Sequence, residues 1–303
     1  MLNCERRIGG MSHGQPHHSS KKRIGMAKNQ SWAGRQVVVS GGSSGLGLQL
    51  VMAAANQKAN LVIVGRDMGR LEKARLIAIE QGANSAIWFA IDLRSSDSGT
   101  VRDSDKLHQW LIENNVDLLI NAVGRSDRGL LEQLDANDLM AMFQDNVLCT
   151  WNMTLAAIPS LKRAKGTIVN IGSLAGLIAA PNMGGYSIVK YGLTALSRQL
   201  RLELESSGIH VTLVCPGPIA RDDTSNRYSD VAKKRGLNEA SATAPAGGAR
   251  LRLIDPKKLS EMILDAAGQR RKELVYPGKA RWLASLAPIW PNLADRILQR
   301  YTK

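Results

Sequence analysis

With 303 residues, 44% of them hydrophobic, the chain is long enough to bury a substantial core and too apolar to be disordered throughout. Its formal charge of +14 raises nucleic acid as a partner, but the excess lies at the ends, +5 over residues 1–30 and +6 over 270–303. The body between is near neutral and carries no nucleic-acid reading motif, so a nucleic-acid role is set aside.

Residues 1–30 are rich in Gly, Ser, His and Lys with almost no periodic apolar positions, and are expected to form a disordered basic tail. His13, His17 and His18 have no Cys or acidic partner nearby that would make a metal site. Cys4, Cys149 and Cys215 contain no C-x-x-C pair, so neither a disulfide framework nor zinc is expected. No apolar run has the length of a secretory signal or a spanning helix, which points to a cytoplasmic protein.

From Gln36 onward, β-branched runs alternate with helical patterns. Strands are predicted at Val37–Val39, Leu61–Val64, Ala86–Ile91, Asp117–Ile120, Thr167–Ile171, Val211–Val214 and Leu274–Tyr276. Strands separated by helices imply βαβ crossovers, and continuous apolar strands imply a sheet covered on both faces. The expected fold is therefore α/β: a Rossmann-type, doubly wound, seven-stranded parallel sheet in one domain, residues 31–278. From Asp222 to Arg252 the rhythm breaks into a polar, then Ala/Gly-rich stretch, expected as a mobile excursion able to cover a ligand.

After the first strand comes Ser40-Gly41-Gly42-Ser43-Ser44-Gly45-Leu46-Gly47, then an apolar helix. Glycines permit a tight turn and close approach of the backbone to a pyrophosphate, whose charge is met by free N–H groups at the helix start. The second strand ends Val64-Gly65-Arg66-Asp67. A carboxylate at its end would accept from a ribose 2′-hydroxyl and select NAD; here Gly65 removes that group and Arg66 offers a donor fork for a 2′-phosphate, favouring NADP over NAD. Asp67 keeps the NAD alternative open.

Tyr186 and Lys190 lie one turn apart at the start of an apolar-periodic helix running to about Glu205, thirteen positions after Ser173, which ends a strand. An ammonium one turn from a phenol stabilises the phenolate, making a group of reference pKa about 10 usable as a proton carrier near neutrality. A serine at a strand end can donate to a carbonyl oxygen.

The glycine loop resembles the T-G-x-x-x-G-x-G signature of the classical short-chain dehydrogenases/reductases, with Ser40 in place of Thr. Asp92-Leu93 resembles that family's aspartate element near the adenine, and Asn121-Ala122-Val123-Gly124 its N-N-A-G element. The separation of Ser173 from Tyr186 matches the family, and Asn146 stands at the position of its active-site Asn, which holds a helix bend and a water relaying protons to the lysine. Pro216, Gly217 and Ile219 follow the sixth strand where the family borders the nicotinamide, but Arg221 stands where its Thr is usual, with Thr224 three residues on.

The resemblance implies reversible reduction of a ketone or aldehyde, with Tyr186 as general acid, Ser173 as carbonyl polariser, Lys190 as pKa shifter and ribose anchor, and Asn146 as relay holder. It implies a homodimer or homotetramer paired through the Tyr–Lys helix. The competing reading is a dinucleotide-binding sensor or scaffold without turnover. Residues 279–303 form a basic extension containing Trp282 and Trp290. That composition suits peripheral membrane contact and a lipid-like or steroid-like substrate, or a helix packing on the substrate pocket or another subunit.

Overall fold

The computed structural model describes residues 31–94, 105–220, 233–237 and 252–302. The tail expected over residues 1–30, and most of the excursion between Asp222 and Arg252, with Arg221 and Thr224, lie outside the described residues.

All seven expected strands form: β1 Gln36–Ser40, β2 Asn60–Gly65, β3 Ser85–Ala90, β4 Leu118–Asn121, β5 Thr167–Ile171, β6 His210–Pro216 and β7 Glu273–Tyr276. They make one parallel sheet in the order β3-β2-β1-β4-β5-β6-β7. Among the described residues, nine longer helices connect or follow them: α1 Gly45–Ala55, α2 Met68–Glu80, α3 Asp105–Glu113, α4 Ala136–Phe143, α5 Cys149–Ala164, α6 Tyr186–Leu204, α7 Pro256–Gly268, α8 Lys279–Leu286 and α9 Pro291–Thr302.

Side chains alternate across a strand, so neighbours in β1 serve opposite layers. Val37 and Val39 pack with Leu50 and Val51 of α1, Leu71 of α2 and Ile263 of α7. Val38 packs with Leu107 of α3, Met153 and Leu161 of α5, and Leu200 of α6. Two buried layers of this kind are why the strands read as unbroken apolar runs rather than alternating ones.

The chain winds outward from β1 through β2 to β3, then returns to β4 and winds the other way. The reversal opens a crevice at the carboxyl ends of β1 and β4, the position where doubly wound sheets take their ligands. Most of the expected site residues lie at strand ends or in first helical turns around it, and Asn146 lies within a helix.

One polar row crosses this apolar sheet. Ser40, Asn121 and Asn170 are register partners on β1, β4 and β5. Ser40 Oγ donates to Asn121 Oδ1 (3.0 Å); Asn121 Nδ2 donates to Asn170 Oδ1 (2.9 Å) and to Thr154 Oγ1 on α5 (3.0 Å); Asn170 Nδ2 donates to Ser197 Oγ on α6 (3.0 Å). All five side chains are buried, and mutual bonding offsets the desolvation each would otherwise suffer.

Candidate active site

The loop after β1 is shaped by close backbone approach. Gly41 has φ +76, and a side chain there would meet the backbone nitrogen of Val123 at 2.8 Å. A Cβ on Gly47 would overlap the Gly41 carbonyl, so that glycine lets α1 seat against the turn. Gly45, φ +52, faces open space instead. The start of α1 has no side-chain cap and no acidic residue in its first turn, whereas α2, α4 and α7 are capped by Asp67, Asp135 and Asp255. Uncapped N–H groups beside an open glycine turn suit a pyrophosphate.

Ser40 and Asn121 serve this site from beneath, their side chains being committed to the polar row; sequence reasoning did not assign Asn170 a role. The signal was there: one polar residue inside Ile168-Val169-Asn170-Ile171.

At the end of β2, a Cβ on Gly65 would stand 3.4 Å from Ser43 Oγ, so Ser43 and the exposed Arg66 flank the place where a carboxylate would otherwise project. Asp67 caps α2, accepting from Arg70 N at 2.9 Å and pairing with Arg70 Nε at 3.5 Å. Asp92 is gripped by Arg94, whose hydrogen bonds, more than the field of Arg66, hold the carboxyl below its usual range. Leu93 is buried, and its carbonyl accepts from Asn152 Nδ2 at 3.0 Å.

The other half of the site is organised around α6. Tyr186 is the first residue of that helix and packs on Met142, Val147, Val189 and Leu193. Lys190, one turn on, is only 4% exposed; its Nζ lies 5.7 Å from the Tyr186 ring centroid and donates to Ile171 O at 3.0 Å. Burial pulls the ammonium down to about 8 from 10.5, because a charge removed from water is held at a cost.

Ser173 caps a single turn, Leu174–Gly176, by accepting from Ala175 N at 3.1 Å, which leaves its hydroxyl hydrogen for another acceptor. A Cβ on Gly176 would meet Lys190 O at 2.5 Å, so Gly176 allows the Ser173 turn to lie flat on α6 at the lysine.

Between α4 and α5 the helix widens into a π turn, Gln144–Leu148. Fully buried Asn146 sits in it, donating through Nδ2 to Arg125 O and Met142 O, both at 3.0 Å. Its Oδ1 has no hydrogen-bond partner, and a buried acceptor of this kind suits an ordered water. π turns inside helices concentrate at functional sites.

On the far side, Gly217 N donates to Tyr276 O (2.7 Å), and Ile219 bridges to Ile254 beside the same edge. Asn146, Ser173, Tyr186 and Lys190 are thus gathered on α6 and the elements packed against it, at the mouth of the crevice holding the glycine loop.

A family model described as short chain dehydrogenase matches residues 35–232. The chain belongs to the short-chain dehydrogenase family.

This short-chain dehydrogenase is 31% identical over 284 residues to a "Dehydrogenase/reductase SDR family protein 7-like" of Anopheles gambiae, covering 88% of the present chain and 85% of that protein. It is 30% identical over 268 residues to the ketoacyl reductase HetN of Nostoc, covering 87% and 88% respectively. Among solved structures it resembles the Pseudomonas aeruginosa RhlG/NADP active-site complex, with TM-score 0.68, 26% identity, and coverage of 84% of this chain and 98% of that one. The short-chain dehydrogenase is accordingly an oxidoreductase acting on CH–OH groups with a nicotinamide dinucleotide.

Sequence reasoning missed Asp127 and Arg235. They form a buried ion pair (Arg235 NH1 to Asp127 Oδ2, 2.5 Å) next to the turn that leads into Tyr186.

Proposed function

We propose that the protein reduces a hydrophobic ketone or aldehyde to an alcohol, reversibly, with NADPH preferred over NADH. The observation that carries this reading is the buried Lys190 ammonium 5.7 Å from the Tyr186 ring, with the capped Ser173 turn packed on the same helix.

A nicotinamide cofactor, when bound, would supply the hydride. Tyr186 donates the phenolic proton to the carbonyl oxygen as charge develops there, and Lys190 stabilises the phenolate left behind. Ser173, its oxygen already engaged by Ala175 N, gives its hydrogen to the same carbonyl oxygen and polarises it. Lys190 also has donors to offer the nicotinamide ribose, and Asn146 Oδ1 is placed to hold a water that returns the proton toward the lysine. These roles need a titrating Tyr–Lys pair, which a sensor without turnover would not.

NADP preference is supported by Gly65 and exposed Arg66, and by the commitment of Asp67 to capping α2. A hydrophobic substrate is supported by the ketoacyl relative. Among the described residues no helix is long and apolar enough to cross a membrane. The end of the chain nevertheless exposes Trp282, Ile289, Trp290 and Leu293, with Lys279, Arg281, Arg296 and Arg300 exposed beside them. We propose that α8 and α9 rest on an anionic bilayer, where indole and aliphatic bodies enter the interface and the cations meet lipid charge. Pairing of two α6 helices into a homodimer or homotetramer is part of the same reading.

The deciding assay follows NADPH absorbance with ethyl acetoacetate, a long-chain 2-ketone, a 3-ketosteroid and L-sorbose. Turnover of at least one, lost by about 10²–10⁴-fold in Tyr186→Phe with NADPH binding retained, supports the reading. No turnover of any, or substantial activity in Tyr186→Phe, overturns it.

A further inference from the structure

The turn 182–185 fixes where α6, and with it the Tyr186 ring, begins. It is held from one side by residues 127–129. Gly129 N donates to Asn182 O (3.2 Å), Gly184 N to Gly129 O (3.0 Å), and Gly185 N to Asp127 Oδ2 (3.3 Å). Gly184 has φ +52, and a Cβ on it would overlap the Asp127 carboxylate. That carboxylate therefore lies directly against the backbone ahead of Tyr186.

Asp127 is 6% exposed, and a carboxylate so buried needs a compensating charge. Arg235, 8% exposed, supplies it at 2.5 Å and reaches half-exposed Asp138 at 2.6 Å with its other nitrogen. Arg235 is itself seated by its backbone, its carbonyl accepting from Leu130 N at 3.1 Å. Its stem covers Gly129: a Cβ there would stand 2.6 Å from the Arg235 Cβ. A buried pair of this kind is weak evidence for net stability, whereas removing one partner leaves the other charge buried and uncompensated.

We propose that Asp127 and Arg235 are positioning residues for Tyr186, the arginine fixing the carboxylate that pins Gly185 and so sets the ring over Lys190. This rests on Tyr186 being the proton donor. Losing the pair leaves the substrate and cofactor surfaces in place but lets the start of α6 drift. Displacements of about 1 Å at a reacting group cost up to 10²-fold in rate.

The test compares Asp127→Asn, Arg235→Met, their double variant and Asp138→Asn with the wild type, using the panel carbonyl turned over fastest. Asp127→Asn and Arg235→Met are expected to lower kcat about tenfold or more, with carbonyl KM and NADPH dissociation constant within about twofold. The double variant should be no slower than the worse single one, since both act through one contact. Asp138→Asn, on the exposed arm, should keep the wild-type kcat. A folded Arg235→Met enzyme with wild-type kcat, a change confined to KM, or single effects that multiply would overturn the proposal. Should Arg235→Met fail to fold, nearly isosteric Asp127→Asn decides: wild-type kcat refutes the proposal, a tenfold loss at unchanged KM supports it. Tyr186→Phe, run alongside, separates the two readings, because activity in that variant removes the proton-donor assignment whatever the pair does.

Discussion

Asn146 Oδ1 and Lys190 Nζ converge on one point beside Gly124: a Cβ built there would stand 2.6 Å from the first and 3.4 Å from the second. Gly124 is exposed while both polar groups are buried. The glycine is therefore the thin wall between the lysine and the mouth of the site.

Gly124→Ala should strike that wall. At φ +154 an alanine is strained, and its methyl would push Asn146 out of the π turn. A stability loss of about 1–3 kcal/mol is expected, with kcat reduced at least tenfold. Thermal melts and steady-state rates check both, and a wild-type rate would mean that Asn146 and Lys190 do not act together.

Lys190 makes a pH prediction with a definite sign. Burial lowers it from 10.5 to about 8, so between those values the unfolded chain holds a proton that the fold has released. Stability should rise with pH across that window, and below about pH 8 the full penalty, roughly 3 kcal/mol, is present. Lys190→Met should then melt at a higher temperature than wild type at pH 7, less the bond to Ile171 O, and lose this advantage toward pH 10.5. It should also be inactive, and wild-type reduction should decline above pH 8. Melting curves at several pH values decide it; a destabilised Lys190→Met at every pH would contradict the burial argument.

Arg66→Ala addresses the cofactor. Losing a charge-assisted contact worth about 1.5–3 kcal/mol should weaken NADPH roughly 10–100-fold and leave NADH nearly unchanged. Fluorescence titration with both nucleotides is the measurement, and an equal loss for both would remove Arg66 from specificity.

Trp282, 81% exposed, and Trp290, 60% exposed, set up the fourth expectation. Vesicles containing phosphatidylserine should float the full chain at low salt, while neutral vesicles should float much less. Trp282→Ser with Trp290→Ser should abolish flotation. Flotation that ignores both lipid charge and the tryptophans would refute docking through α8 and α9.

The sequence made the seven strands legible because both faces of the sheet are covered, which turns each strand into an apolar run bounded by turn residues. The glycine loop was legible because close approach leaves only one residue type possible at Gly41 and Gly47. Asn146 was legible only through resemblance: an Asn inside a helical pattern carries no mark of the π turn around it. Asp127 and Arg235 were not legible at all, since a single ion pair between residues 108 positions apart has no period and no local motif. The exposed state of α8 and α9 also escaped, because a Trp-containing basic helix has the same composition whether it covers a pocket or faces outward.

The polar row of Ser40, Asn121 and Asn170 has a consequence for folding. Three aliphatic strands side by side can pair in several shifted alignments with similar burial. Only the native alignment brings the two carboxamides and the serine hydroxyl level with one another. Sliding β4 against either neighbour would strand hydrogen-bonding groups among valines and isoleucines, at about 1–3 kcal/mol for each one left unmatched. The row works as a key cut into an otherwise smooth interface, and the crevice that receives the dinucleotide inherits its alignment from it.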